Sequence, residues 1–97
     1  MLRREDVVKL IQDHAPELAE FGISSLALFG SVARNESSES SDIDILVEFA
    51  GRARFIPFMG LRAYLEDLLR ARIDLATMEM IRPEIRESVA RDLIRVA

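Results

Sequence analysis

Apolar residues recur every three to four positions in three parts of the chain, a spacing that predicts amphipathic helices. The first helix is expected to begin near Arg4 and to be interrupted at Pro16. A second apolar stripe starts at Leu61, and a third follows Pro83, a residue that suits the first turn of a helix. The expected core-facing side chains of this last helix are those of Ile85, Val89, Leu93 and Val96.

Three short segments between the helices are predicted to be strands. Ile23–Phe29 has the length of a buried strand, Asp42–Phe49 alternates between apolar and polar residues, and Arg72–Thr77 is the third. A short helix is expected to open at Ser31, followed by a polar surface loop over residues 35–41. Helices and strands therefore alternate along the chain, which favours an α/β fold with helices packed on a small sheet.

Composition excludes several classes of function. The 97 residues contain no cysteine and a single histidine, His14, so thiolate zinc sites, cysteine nucleophiles and Ser-His-Asp triads have little material. The formal net charge of −4 argues against direct binding of nucleic acid, which normally uses a basic face. No apolar run approaches the roughly 20 residues of a membrane span, and the start lacks a secretory apolar core. We therefore expect residues 1–97 to form one cytoplasmic domain with no membrane contact.

The candidate chemistry lies in one segment, where Gly30-Ser31 is followed after ten residues by Asp42-Ile43-Asp44. Gly30 allows a sharp turn and a close approach of the backbone to a ligand. If Ser31 opens a helix, its hydroxyl and the free backbone N–H groups suit phosphate oxygens. Asp42 and Asp44 lie two apart on a predicted strand, so both carboxylates are expected on one face. Such oxygen ligands suit Mg²⁺ or Mn²⁺.

A third carboxylate, that of Asp74, lies in the middle of the last predicted strand, where an unpaired charge is costly. A bound cation would offset that cost, and three carboxylates are able to hold two metal ions roughly 3.5–4 Å apart. Ions placed in this way activate an attacking oxygen and stabilise a leaving pyrophosphate. An ion pair of Asp74 with Arg72 or Arg82 is the alternative interpretation.

These motifs resemble the minimal nucleotidyltransferase group of the DNA polymerase beta superfamily over nearly the whole chain. The similarity includes the strand and turn at 26–34, and Ile73-Asp74-Leu75 followed by a helix that starts with proline. The resemblance implies a small mixed sheet flanked by helices, and metal-dependent transfer of a nucleoside monophosphate, AMP from ATP, to an acceptor hydroxyl. For nucleotide binding, the resemblance implies Gly30 and Ser31. For catalysis with two Mg²⁺ or Mn²⁺ ions, it implies Asp42, Asp44 and Asp74.

Two positions in the motif leave an open question. Arg34 either faces solvent or steers the triphosphate, and the sequence does not separate these interpretations. Asn35 replaces the glycine that many relatives have directly after the Ala-Arg pair. Asparagine tolerates the left-handed backbone conformation, so we expect the turn to be retained.

The resemblance also implies a partner. Many minimal nucleotidyltransferases are encoded beside a HEPN-type ribonuclease toxin and act as its antitoxin, and some adenylylate a tyrosine of the toxin. One alternative is a non-catalytic antitoxin that neutralises its partner by covering it. Another is a calcium-binding loop at residues 40–44, although the central glycine and terminal glutamate of such loops are missing. The apolar edges of a short sheet are compatible with a homo- or hetero-oligomer.

Overall fold

A computed structural model describes residues 3–36, 42–51 and 55–97 of the chain, which form a four-stranded mixed sheet with helices on both faces. The strand order is β3-β2-β1-β4, in which β1 runs antiparallel to both β2 and β4, and β2 runs parallel to β3. The predicted α/β fold with a small mixed sheet is confirmed. The strands are β1 (Ile23–Phe29), β2 (Ile43–Phe49), β3 (Ile73–Ala76) and β4 (Ile94–Arg95).

Within the described ranges, two α-helices precede the first strand and three more connect the strands. The break predicted at Pro16 separates the first two, because proline occupies the first turn of the second helix. A short 3-10 helix, Met78–Met80, precedes the last α-helix. No helix in the described part of the chain has the length and apolar character needed to cross a membrane. The helices are α1 (Arg4–Asp13), α2 (Ala15–Ala19), α3 (Gly30–Ala33), α4 (Phe55–Leu69) and α5 (Pro83–Asp92).

The main core fills one face of the sheet. Alternate side chains of β2 point into it, and they pack against apolar residues of α1 and α4. Each fully buried leucine or isoleucine stabilises the fold by about 1.5–3 kcal/mol relative to an exposed one. Side chains with no exposed surface in this core include Val7, Ile11, Leu28, Ile45, Leu61 and Leu65.

A smaller apolar cluster covers the opposite face. Leu46, Ala76 and Ile81 are buried there, and half-buried Val89 of α5 packs against them, as do Phe29, Met78 and Leu93. Asp44 lies two residues before Leu46 on β2, so its side chain belongs to this second face. The helix α5 therefore borders the candidate site, whereas α1 and α4 support the sheet from behind.

The structure corrects the prediction for the last helix. The spacing predicts a core position for Ile85, but 47% of its surface is exposed, because α5 packs on the sheet through Val89, nearer its C-terminal end. Val96 is buried as predicted, yet it follows β4 rather than lying on a helix. Its N–H donates to the carbonyl of Leu26 at 2.8 Å. The predicted loop falls partly on residues 37–41, which lie outside the described part of the chain.

Candidate active site

The ends of three neighbouring strands bring the predicted motif together. Gly30 directly follows β1, and the last residue of β1, Phe29, is paired with Asp44 of β2. Asp44 is in turn paired with Asp74 of β3. Residues in register on adjacent strands project to the same face, so the Asp44 and Asp74 carboxyl groups stand side by side. The structure thus places Gly30, Asp44 and Asp74 at one end of the sheet.

Gly30 lies in close contact with Asp44. Its φ angle is +72°, a left-handed conformation that side chains rarely adopt. A Cβ atom added at this position would collide with Oδ2 of Asp44 and lie 2.9 Å from its Cγ. Glycine is therefore required here twice, once by the backbone angle and once by the neighbouring carboxyl group.

The carboxyl group of Asp44 has an unusual affinity for a proton. Burial raises the pKa of Asp44 from an ordinary value of 3.8 to about 6, helped by the charge of Asp74 and by a hydrogen bond shared with it. The charge of Asp42 acts in the same direction, whereas that of Arg34 lowers the pKa. Above pH 6, the ionised carboxyl group of Asp44 therefore faces the charge of Asp74, and the two groups repel each other.

Asp42 occupies a different position from the one predicted. The strand β2 begins one residue later, at Ile43, so Asp42 lies just outside the sheet. Its Oδ1 forms an ion pair with Nε of Arg72, at a distance of 3.0 Å. Arg72, which the sequence suggested as a partner of Asp74, thus pairs with Asp42. Both side chains of this pair are well exposed, so the pair contributes little to stability.

The donor set fits a divalent cation in its chemistry, although not in the side-chain positions described here. In residues 3–36, 42–51 and 55–97, no three His, Cys, Asp or Glu side chains lie close enough together to hold a metal ion. Asp44 and Asp74 nevertheless supply the hard oxygen ligands that Mg²⁺ and Mn²⁺ prefer, and a cation would remove their repulsion. Asp42 would join them only by releasing Arg72, and an exposed ion pair allows that rearrangement at small cost.

Arg34 is the basic group at this end of the sheet whose charge reaches Asp44. Its Nη1 donates to Oδ2 of Asp92 at 2.9 Å, and its Nε donates to Oε2 of Glu36 at 3.2 Å. These hydrogen bonds, with that to Asp92 the strongest influence, raise the pKa of Arg34. The guanidinium is thereby held at the edge of the site, with 44% of the side chain exposed. A contact between Arg34 and a nucleotide stays a prediction.

Asp92 is a residue that sequence reasoning missed. It lies 58 positions from Arg34, on α5, and a pairing at that separation leaves no periodic signal in a single sequence.

The predicted turn after Arg34 is present, because Asn35 adopts a φ of 60°. From the other side, Nη1 of Arg4 donates to the carbonyl of Ala33 at 3.0 Å and fixes the end of α3. Ser31 is half-buried and lies in the four-residue helix α3, which is too short to have a strong helix dipole. A ligand would therefore be contacted by the hydroxyl and the backbone N–H of Ser31.

This geometry agrees with a comparison of the chain with known protein families. Residues 11–96 match the family described as the nucleotidyltransferase domain. The chain belongs to that family. The match spans every strand of the sheet and both aspartates of the paired register, so the nucleotidyltransferase fold accounts for the whole end of the sheet described above.

Relatives of this nucleotidyltransferase have similar lengths. Protein adenylyltransferase MntA of Thermococcus cleftensis is 37% identical over 97 residues, covering 99% of this chain and 98% of its own. A solved structure provisionally described as a minimal nucleotidyltransferase has a TM-score of 0.82 at 32% identity, with 96% and 95% of the two chains covered. A chain from the complex of a tri-AMPylated Shewanella oneidensis HEPN toxin with an MNT antitoxin has a TM-score of 0.65. Its identity is 20%, with 93% of this chain and 71% of that chain covered, so it shows a shared fold.

Proposed function

We propose that this nucleotidyltransferase transfers AMP from ATP to a hydroxyl group of a protein, using divalent metal ions held by Asp42, Asp44 and Asp74. The observation that carries the proposal is the register of Asp44 and Asp74 beside Gly30. Two carboxyl groups lie side by side, and one of them, that of Asp44, lies against backbone that has no side chain in the way. A site of this kind suits phosphate groups bridged to carboxylates by a cation.

Each residue has a distinct part in the proposed reaction. Gly30 and the Ser31 hydroxyl approach the phosphates, and Arg34 supplies positive charge from the edge of the site. Asp44 and Asp74, joined by Asp42, would hold the divalent ions, and these ions would supply positive charge to the triphosphate and the departing pyrophosphate. The acceptor oxygen forms a bond to the α-phosphorus as the bond to the pyrophosphate oxygen breaks. The protein thus contributes mainly position and charge.

The proposed biological acceptor is a HEPN-type toxin, which this chain would silence as an antitoxin. Two findings support that setting: a relative of nearly equal length is named a protein adenylyltransferase, and the same fold occurs in a complex with an AMPylated HEPN toxin. A tyrosine hydroxyl is the proposed target on the toxin. A complex of the two proteins follows from the proposal, because the acceptor must reach the carboxylates.

The test of the site is calorimetric titration of the purified protein with ATP, with and without Mg²⁺. The wild-type chain is compared with the Asp44→Asn, Asp74→Asn double variant, and with Asp67→Asn as a control on the exposed surface of α4. We expect Mg²⁺-dependent binding in the wild type and the control, and its loss in the double variant. Equal binding by all three proteins would refute the assignment of the two carboxylates.

The position of Asp42 favours one competing function, a non-catalytic antitoxin that neutralises its partner by covering it. In such a protein the ion pair of Asp42 with Arg72 would persist, and no metal site would need to assemble. Co-expression with a HEPN-type toxin encoded nearby separates the two functions. If the Asp44→Asn, Asp74→Asn variant still rescues growth fully, neutralisation does not require nucleotidyl transfer. If rescue is lost while the complex remains intact, the enzymatic function is supported.

A further inference from the structure

The guanidinium of Arg34 lies between two carboxylates that are held with different firmness. Its Nη1 donates to Oδ2 of Asp92 at 2.9 Å, and its Nε donates to Oε2 of Glu36 at 3.2 Å. Glu36 is a near neighbour in sequence, and 65% of its side chain is exposed. The side chain of Asp92 is only 29% exposed and belongs to α5, 58 positions further along the chain. Asp92 is therefore the partner that the tertiary fold places beside Arg34.

The packing of α5 fixes the position of Asp92. Val89 lies three residues before Asp92, so the two side chains lie on the same side of the helix. Val89 packs against the smaller apolar cluster on the second face of the sheet, and so does Leu93, the residue that follows Asp92. Apolar contacts therefore hold the chain just before and just after Asp92, and its carboxylate reaches Arg34 from a firm support.

The stability of the fold does not account for an aspartate at this position. Asp92 is the last residue of α5, where the negative end of the helix dipole disfavours a carboxylate. Its ion pair with Arg34 is partly exposed, and such pairs contribute little to stability. Asp92 also brings a negative charge towards the site proposed for a triphosphate, which by itself weakens the binding of an anion. Its effect on Arg34 is what remains to offset these two unfavourable contributions.

The backbone on both sides of Arg34 is already fixed. Nη1 of Arg4 donates to the carbonyl of Ala33 at 3.0 Å, and Asn35 adopts the left-handed conformation with a φ of 60°. The long side chain of Arg34 is then the part that still has rotational freedom, and ordering such a side chain when a ligand binds weakens the affinity. The hydrogen bond to Asp92 removes much of that freedom before any ligand arrives.

We propose that Asp92 is a positioning residue for nucleotide binding, which holds Arg34 in the orientation that contacts the triphosphate of ATP; this rests on the function proposed above. A guanidinium carries five N–H groups. Among residues 3–36, 42–51 and 55–97, Asp92 and Glu36 accept hydrogen bonds from two of these groups, which leaves three for phosphate oxygens. Asp92 itself is an anion and does not contact the phosphates, so it acts through Arg34.

The sign of the change in ATP affinity tests the proposal. If Asp92 is only a negative charge near the site, Asp92→Ala raises the affinity, because it removes a repulsion. If Asp92 positions Arg34, Asp92→Ala raises the Kd for ATP with Mg²⁺ by about threefold to tenfold, the range expected from ordering one long side chain on binding. Asp92→Asn keeps an oxygen acceptor in place, so its Kd should lie between those of the wild type and Asp92→Ala. Calorimetry at neutral pH measures each Kd, with Asp67→Ala on the exposed surface of α4 as the matched control.

Loss of folding is not expected to obscure this result. Alanine favours a helix and removes the unfavourable charge at the end of α5, so the Tm of Asp92→Ala should not fall. Thermal unfolding followed by circular dichroism checks this for every variant.

A double-mutant cycle tests whether the effect of Asp92 passes through Arg34. In the Arg34→Ala protein, Asp92→Ala should no longer weaken ATP binding, because no guanidinium remains to be positioned. A loss of affinity by the same factor with and without Arg34 overturns the proposal, as does unchanged or tighter binding by the single variant Asp92→Ala. In each of these cases the wild type still binds ATP, so the proposed function stands and the role of Asp92 alone fails. If the wild type binds no ATP, the proposed function fails and this role fails with it.

Discussion

Asp44 and Asp74 occupy opposite positions on the parallel strands β2 and β3, and their carboxyl groups share a hydrogen bond. When Asp44 is protonated, the two carboxyl groups are joined by this hydrogen bond. When Asp44 loses its proton, the two groups repel each other. The pair is thus held in readiness for a positive charge, because either a proton or a cation relieves the repulsion. Its behaviour in the absence of metal therefore reports on the site without any need for an assay of activity.

We expect Asp44→Asn to stabilise the metal-free protein at neutral pH. The folded-state pKa of Asp44, about 6, exceeds its ordinary value of 3.8. The stabilising contribution of protonated Asp44 is therefore complete below pH 3.8 and is lost as the pH rises through 6. Allowing for solvent screening of this partly exposed group, the loss is on the order of 1 kcal/mol. In a domain of this size, that corresponds to a Tm difference of about 4–8 °C.

The measurement is Tm against pH from 5 to 8 in the presence of a chelator. The advantage of Asp44→Asn over the wild type should grow with pH, and Asp67→Asn on α4 should show no such trend. A constant difference across the range would mean that the ionisation of Asp44 does not oppose folding.

Gly30→Ala is expected to destabilise the protein more than Gly22→Ala does. Both glycines have a positive φ, +72° and +74°, but an added Cβ meets Asp44 at Gly30 and nothing within 4 Å at Gly22. The change at Gly22 should cost about 1–2 kcal/mol through the backbone angle alone. The change at Gly30 should cost at least about 1 kcal/mol more through overpacking. Urea unfolding of both variants measures the difference, and equal losses would show that Asp44 moves aside freely.

Arg34→Ala is expected to weaken ATP binding by about tenfold, the order of effect of losing a charged hydrogen bond. Its effect on Tm should be small, because exposed ion pairs contribute little to stability. Arg62→Ala is a matched control: its side chain is also 44% exposed and also pairs with a carboxylate, that of Glu66. Calorimetry with ATP and Mg²⁺ checks the prediction. Equal ATP affinity in the two variants would assign Arg34 to the solvent-facing interpretation.

Leu65→Ala should reduce the free energy of unfolding by about 2–5 kcal/mol, since it leaves a cavity in the main core. Leu65 has no exposed surface, whereas Met59 on the same helix is 39% exposed. Met59→Ala should change the free energy of unfolding by less than about 0.5 kcal/mol. Chemical denaturation of both variants tests this contrast. Similar losses in the two variants would contradict the assignment of Leu65 to the core.

The sequence predicted those parts of the fold that have a local cause. The alternating residues of β2, the proline at the start of α5 and the left-handed turn at Asn35 each follow from one segment of chain, and each is present. The pairing of Arg34 with Asp92 and that of Arg72 with Asp42 depend on how distant segments meet, and single-sequence patterns contain no information about such meetings.

Two further differences have the same origin. Ile85 has the spacing of a core residue, but α5 packs on the sheet through Val89, nearer its C-terminal end, which leaves Ile85 in solvent. The two residues of β4 are too few to show an alternating pattern, so the strand is visible only through its pairing with β1. In both cases the missing information is tertiary rather than local.

The contact between Gly30 and Asp44 also restricts how related sequences are able to diverge. An alanine or any larger residue at position 30 occupies the space of the carboxyl group at position 44, so the two positions are not free to change one at a time. A lineage that abandons chemistry at this site is expected to lose the carboxylate at 44 first, and only then the glycine at 30. Glycine at 30 without an acidic residue at 44 would therefore mark a recent loss of function, and the absence of both would mark an old one.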